Sequence, residues 1–299
     1  MSTALLILPN FVLILVGLLL ARRFDFGRDF WAGLEKLVYY VLFPALLFRS
    51  LALAHIDFAA TVWPAAAALA FTLAGFALSV AAGPIFRLDR KLLAAGSQCG
   101  YRFNTYVGLA IAGSVYGSEG VALAAVLLGV MIPLANVLSV AMLAAHGKHG
   151  FLYELATHPL VVASVAGLAW NALGLPLPGF ADQTLNLLAI TALPAGLLAV
   201  GAAMRIEGGQ GSIGAHAWWL TVKLAAVPAI AWLLAYLLGI GGLEARVLLL
   251  CAALPTATNA YILAVRMTGD GRAVATQITI GTVLAMATIP AWLALPLPR

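Results

Sequence analysis

Apolar runs of about 17 to 25 residues recur along the whole chain between short polar breaks, the length that carries a helix across a hydrocarbon core of about 30 Å. No other feature limits the fold so tightly. Of the 299 residues, 64% are hydrophobic and only 9% are charged, too few polar groups to cover a water-soluble core of this size. The bilayer is the expected solvent, and helices that satisfy their own backbone hydrogen bonds are the expected elements.

The pattern predicts an all-α polytopic membrane protein with ten spans, at about 4 to 20, 34 to 53, 60 to 82, 92 to 114, 120 to 144, 154 to 174, 184 to 204, 215 to 238, 244 to 266 and 272 to 296. The loops are too short to hold a soluble catalytic domain, so function is expected between helices. No charged segment precedes the first span, which reads as a retained helix and not as a cleaved signal.

Arg22, Arg23, Arg28, Lys36, Arg87, Arg90, Lys91, Lys148, Arg205, Arg266 and Arg272 all fall on one side of this ten-span arrangement. Arg49, Arg246 and Arg299 fall on the other, and Arg102 and Lys223 lie within spans. The positive-inside rule then puts both termini outside, in a plasma membrane of bacterial inner-membrane type. The net charge of +5 is accounted for by the inner loops and implies no nucleic-acid partner.

The chain also repeats itself. At an offset of 150, Pro9, Gly17, Phe30, Pro44 and Ile56 recur as Pro159, Gly167, Phe180, Pro194 and Ile206, and Asp57 recurs as Glu207. Asn104 and Tyr106 recur as Asn259 and Tyr261 at 155, and Gly117 and Gly129 as Gly269 and Gly281 at 152. Residues 1 to 145 are thus expected to form one five-span repeat, 146 to 153 a connecting loop, and 154 to 299 a second repeat. Five is odd, so the second repeat starts on the opposite face of the membrane. This is the inverted-repeat plan of secondary transporters working by alternating access.

Two polar patches interrupt the apolar spans. Asn104 follows Lys91 by thirteen residues and Asn259 follows Arg246 by thirteen, which at 1.5 Å per residue places both roughly 20 Å deep, near mid-bilayer. Around them, Gly100 and Pro255 weaken the helix and mark candidate crossover breaks. A helix that restarts at mid-membrane exposes backbone N–H groups and the positive end of its dipole, which suits an anion. Asn104, Thr105, Thr256, Thr258 and Asn259 can cap such half-helices or bind substrate oxygens, and Tyr106 and Tyr261 add rings and hydroxyls. Arg102 can grip a carboxylate with two parallel hydrogen bonds. Lys223, inside span eight, is read as a second counter-charge, with snorkelling to the interface as the alternative.

No Asp or Glu lies in the middle of any span, which disfavours a cation as the substrate. Gln98, Asn136, Thr276, Gln277 and Thr279 remain conceivable ligands for a coupling sodium ion, or plain interhelical hydrogen-bonding groups. Nucleotide-binding and zinc-protease motifs are absent, as is any second membrane-depth carboxylate to partner the Gly269-Asp270 pair. Cys99 and Cys251 read as small buried apolar residues, His146 and His149 flank Lys148 without forming a metal motif, and no enzyme activity, metal or cofactor is expected.

At Arg102 to Ala110, "RFNTYVGLA", and Leu254 to Gly271, "LPTATNAYILAVRMTGDG", the chain resembles the auxin efflux carrier family, whose bacterial members are often described as malonate or malate permeases. The Pro-Thr-Ala-x-Asn-Ala-Tyr-x-Leu-Ala run from Pro255 to Ala264 carries the resemblance most specifically. Phe103 and Ala260 stand where plant auxin carriers have prolines. The resemblance implies two inverted five-helix repeats with crossed, broken helices four and nine, the plan shared with sodium/proton antiporters and bile-acid transporters. It further implies a scaffold of spans one, two, six and seven, a transport domain of spans three to five and eight to ten, and a homodimer through the scaffold. The expected function is secondary transport of small organic anions, carboxylates such as malonate, malate or auxin-like monocarboxylates, by an elevator-like or rocking motion. A proton or sodium ion could couple to it. The alternatives are a sodium-coupled organic-anion symporter and, from another class, a membrane sensor that binds the same ligands without moving them.

Overall fold

The computed structural model describes residues 3–24, 26–54, 58–143, 159–205, 213–257, 260–261, 264–265 and 271–298. Every regular element among them is a helix. Seven helical stretches, some of more than one helix, are long and apolar enough to cross a membrane: Leu5–Arg23, Asp29–Ala52, Ala60–Phe86, Arg90–Ser139, Gly179–Ala203, Ile213–Leu237 and Arg272–Leu293. Pro159–Ala172 is a shorter apolar helix. The loop expected at 146 to 153 lies outside the described residues.

The chain divides into two units, Met1–Phe58 with Tyr106–Gly129 and His149–Ala203, and Ala59–Thr105 with Val130–Lys148 and Met204–Arg299. In the first unit, α1 (Thr3–Arg23) and α9 (Gly179–Ala203) touch backbone to backbone. A methyl group at Gly17 would enter the carbonyl of Leu198, and one at Gly201 would enter the carbonyl of Ile14. Small residues at such contacts are how helices associate in lipid, where water does not drive apolar surfaces together. Likewise α8 (Pro159–Ala172) lays Gly167 on Phe48 of α3 (Phe43–Ala52), and Asn171 Nδ2 donates to the carbonyls of Ala52 and Ala54 where α3 ends. Arg49 and Asp182 pair at 2.7 Å. Asn10 Nδ2 donates to Ser114 Oγ at 3.0 Å.

The second unit is built around α6 (Arg90–Tyr101). Asp89 caps its start by accepting from the N–H groups of Lys91 and Leu92. From Ala94 onward every residue of α6 is buried. Gly96 and Gly100, one turn apart, let it approach closely: side chains there would collide with the Trp219 ring and with Ser79 Oγ. Trp218 and Trp219 of α10 (Ile213–Thr221) donate their indole N–H groups to the carbonyls of Leu78 and Ser79 at the end of α4 (Phe58–Val80). The other elements are α5 (Ala82–Phe86), the far part of α7 (Thr105–Leu143), α11 (Val227–Leu237), α12 (Gly242–Ala253) and α13 (Arg272–Leu293). Within α7, Gly117 leaves helical geometry at φ 66° and ψ −157°, a conformation open to glycine alone at little cost. That kink falls where the sequence pattern separates spans four and five.

Two turns are widened, each just ahead of a proline. Val38–Leu42 lies between α2 (Gly27–Leu37) and α3, and Val222–Ala226 lies between α10 and α11. In both, an N–H reaches back five residues, from Phe43 to Val38 and from Val227 to Val222. A proline has no N–H and its ring crowds the carbonyl four residues earlier, so the helix opens to relieve the clash. For Pro228 that carbonyl belongs to Leu224, and the Trp292 indole donates to it at 2.8 Å. The bond lost to proline is replaced by a side chain.

Candidate functional site

Both interrupted helices of the second unit end in the same way. α6 and α12 each contain twelve residues and each is followed by an extended residue, Arg102 at φ −73° and ψ 153° and Leu254 at φ −60° and ψ 142°. Helix α7 begins again at Thr105, while Leu254 to Ala257 are non-helical and Ala260 and Tyr261 are helical once more. The first interruption lies a residue or two beyond Gly100, and the second begins one residue before Pro255.

The two breaks bond to one another. Asn104 donates its backbone N–H to the carbonyl of Pro255 at 2.8 Å, and Thr256 Oγ1 donates to the carbonyl of Cys99 at 2.7 Å. The chemistry follows from where α6 stops. The Cys99 carbonyl would meet the N–H of Phe103 if the helix continued, and the break removes that partner. Thr256, 3% exposed, supplies a hydroxyl in its place. Asn104 itself is 2% exposed.

Arg102 leaves the end of α6 and is held by neutral side chains. Its Nη1 donates to Ser139 Oγ at 2.9 Å and to Gln98 Oε1 at 3.5 Å, and its Nη2 donates to Asn136 Oδ1 at 3.0 Å. Asn136 and Ser139 lie one turn apart on α7, beyond Pro133. Tyr101 OH bonds Ser139 Oγ at 3.0 Å, so Ser139 joins two consecutive residues of the first break to α7. Arg102 is only 6% exposed, and an arginine at that depth is costly unless it is solvated by polar groups like these.

Lys223 occupies the widened turn before Pro228 and is 2% exposed. Its Nζ donates to the carbonyl of Ala252 at 3.1 Å. This carbonyl lies in the last turn of α12 and loses its helical partner at the second break. A cation at a helix C-terminus also meets the negative end of the dipole. Lys223 Nζ is turned to the end of the broken helix.

The remaining sequence candidates separate. Gln98 and Asn136 come together around Arg102, with their carbonyl oxygens turned to its guanidinium. Gln277 Nε2 donates to the carbonyl of His216, and Thr279 Oγ1 bonds both the N–H and the carbonyl of Arg205. Thr276 lies beside them on α13. Tyr261 has its ring under the Arg205 guanidinium, 4.8 Å from the centroid, and against Gly271. Tyr106 belongs to the first unit, where it stacks on Phe43 at 4.5 Å. Thr258 and Asn259 lie outside the described residues. Ser139 and Tyr101 were not singled out from the sequence. For Ser139 a signal existed, since it stands three residues after Asn136 on one helical face.

A family profile described as "Membrane transport protein" matches residues 3–150 and 148–293, nearly the entire chain. The chain belongs to this family. It is an integral membrane protein of auxin efflux carrier-like type, and it is a transporter, not an enzyme. A protein of Rhizobium meliloti (strain 1021) named "Putative malonate transporter" is 26% identical over 313 residues, covering 95% of this chain and 92% of the relative. An "Uncharacterized transporter" of Methanothermobacter thermautotrophicus is 24% identical over 301 residues, covering 96% of each chain. Membership implies a small-molecule substrate that crosses the bilayer.

Proposed function

We propose that this member of the family is a secondary transporter of small organic anions, carboxylates first among them, that binds its substrate at the two helix breaks of the second unit. The observation that carries the reading is Arg102: a buried guanidinium at a helix break, held by the neutral oxygens of Ser139, Asn136 and Gln98. All three of these contacts are hydrogen bonds to neutral groups. A carboxylate would meet a planar fork already oriented at the break. Lys223, at the other helix end, supplies a second positive charge to the bound anion when it is protonated. Asn104, Thr105, Thr256, Thr258 and Asn259 are the groups we assign to substrate oxygens or to capping the half-helices, with Tyr261 from the same unit. The malonate in the name of the Rhizobium relative agrees with this chemistry.

The transport cycle we infer is alternating access. The supporting pattern is the offset repetition of Pro, Gly, Asn and Tyr along the sequence, together with two twelve-residue helices that break alike. In this reading ten spans form two inverted five-helix repeats, and spans three to five and eight to ten move against a dimeric scaffold of spans one, two, six and seven. Both termini face outward from a bacterial inner membrane.

Flux separates transport from sensing. Proteoliposomes containing the purified protein are expected to take up radiolabelled malonate, malate or indole-3-acetate saturably. Binding of the same anions without uptake would instead make the protein a membrane sensor.

A further inference from the structure

We propose that Lys223 carries a coupling proton: it takes up a proton as the organic anion binds and releases it as the anion leaves, so that the two cross the membrane together. This rests on the anion reading above and adds to it the coupled ion and the group that holds it.

The geometry suits a group that gains and loses a proton without disturbing its surroundings. The partner of Lys223 Nζ is a backbone carbonyl, an acceptor that takes a hydrogen bond from an amine or an ammonium alike. An ion pair would break on deprotonation, but this contact persists. The lysine is also wholly enclosed, on a turn already widened by Pro228 and pinned through Leu224 to Trp292, so its position is set independently of its charge. An isolated ammonium at this depth is expensive, and an anion arriving beside it offsets that cost. Anion and proton therefore favour each other's binding, and linkage makes the effect reciprocal.

The neighbouring elements leave Lys223 this role. The turn packs against α6, α12 and α13 and continues α10 and α11. Helix α12 carries the Cys251 thiol one residue before Ala252, with Glu244 and Arg246 in its first turns. Helix α6 carries Arg90 and Lys91 at its start and Cys99 and Tyr101 near its end, followed by Arg102. Helix α13 carries Arg272 at its first residue, α10 carries His216, and α11 carries Tyr236. Glu244 is the sole carboxylate on these elements, eight residues before Ala252, a rise of about 12 Å. The proton balance is simple: a neutral amine, a proton from the open side and an anion give an ammonium–anion pair, and the proton leaves with the anion on the other side.

The test uses purified full-length protein in weakly buffered detergent with a pH-sensitive dye, titrated with malonate between about pH 7 and 9, where carboxylic acids are ionised. Wild type is expected to take up as much as about one proton per malonate bound, with an apparent affinity that rises as pH falls by up to about tenfold per unit. In Lys223→Arg, which stays charged, malonate binding is expected without proton uptake and with an affinity independent of pH. Lys223→Gln is expected to bind weakly, again without uptake. Malonate binding to wild type with no proton taken up, or uptake retained in Lys223→Arg or Lys223→Gln, overturns the inference while leaving the anion reading intact. Failure of wild type to bind malonate, malate or indole-3-acetate overturns the anion reading and this inference with it.

Discussion

The two helix breaks of the second unit share a backbone device and differ in where their charge comes from. At the first, the cation belongs to the break itself: Arg102 is the extended residue that ends α6, and α7 solvates it. At the second, the break supplies Pro255 and Thr256 but no described cation, and the charge is borrowed from Lys223 on a neighbouring widened turn. The freed carbonyls follow the same division, since Cys99 is served by the hydroxyl of Thr256 and Ala252 by the amino group of Lys223. A broken helix in a membrane has to satisfy its open end, and the two ends do so with unlike chemistry. We assign the two ends accordingly, with Arg102 as the grip for substrate and Lys223 as the group that changes its charge.

The largest expected effect breaks the first end. Arg102→Gln removes charge-assisted hydrogen bonds worth about 1.5 to 3 kcal/mol each, so anion uptake is expected to fall about 100-fold, and Arg102→Lys, which keeps charge but loses the fork, about tenfold. Lys223→Gln retains a donor for the Ala252 carbonyl and is expected to lower uptake about tenfold. Equal losses in Arg102→Gln and Lys223→Gln would erase the proposed division of labour.

The helices leading into the breaks offer the next comparison. Gly100 of α6 has no room for a side chain because Ser79 Oγ occupies the space, whereas the residue 152 positions later in α12 is Ala252. Gly100→Ala is expected to destabilise by about 1 to 3 kcal/mol, read as an earlier thermal unfolding in detergent, with partial recovery in Gly100→Ala/Ser79→Ala. Ala252→Gly should cost about 1 kcal/mol or less.

Thr256→Val keeps the shape but strips the hydroxyl from the Cys99 carbonyl, with an expected loss of about 1 kcal/mol, while Thr256→Ser stays close to wild type. The smallest effect concerns the turn that carries Lys223. Trp292→Phe should cost about 0.5 to 1 kcal/mol by orphaning the Leu224 carbonyl, and adding Pro228→Ala, which restores a backbone donor, should recover part of it. If Pro228→Ala brings no recovery in unfolding temperature, the proline does not account for the widened turn.

Much of this was legible in the sequence because lipid imposes strict rules on it. Apolar run length gave helices, and the kink at Gly117 lies where two spans were divided. The cluster of Arg102, Asn104 and Thr256 stands beside Gly100 and Pro255, where α6 and α12 stop. Periodicity cannot show which orphaned carbonyl meets which donor. That Thr256 serves Cys99, and Lys223 serves Ala252, depends on the exact residue at which α6 and α12 stop. The cradle of Arg102 was half visible: Gln98 and Asn136 stood out as polar residues in apolar surroundings, but their oxygens turned out to face a guanidinium, and Ser139 looked like an ordinary small helical residue. Tyr106 and Tyr261 occupy similar places in the repeated pattern, yet one stacks on Phe43 and the other lies under Arg205. Sequence likeness fixed their spacing and left their neighbours to tertiary packing.

The central claim, anion transport through a site at the helix breaks, is tested most directly by the uptake of radiolabelled malonate, malate and indole-3-acetate into proteoliposomes containing wild type or folded Asn104→Ala. Saturable uptake of at least one anion by wild type, abolished or strongly weakened in Asn104→Ala, is the predicted result. Uptake undiminished in Asn104→Ala would contradict the site, and no uptake of any of the three by wild type would contradict the substrate class.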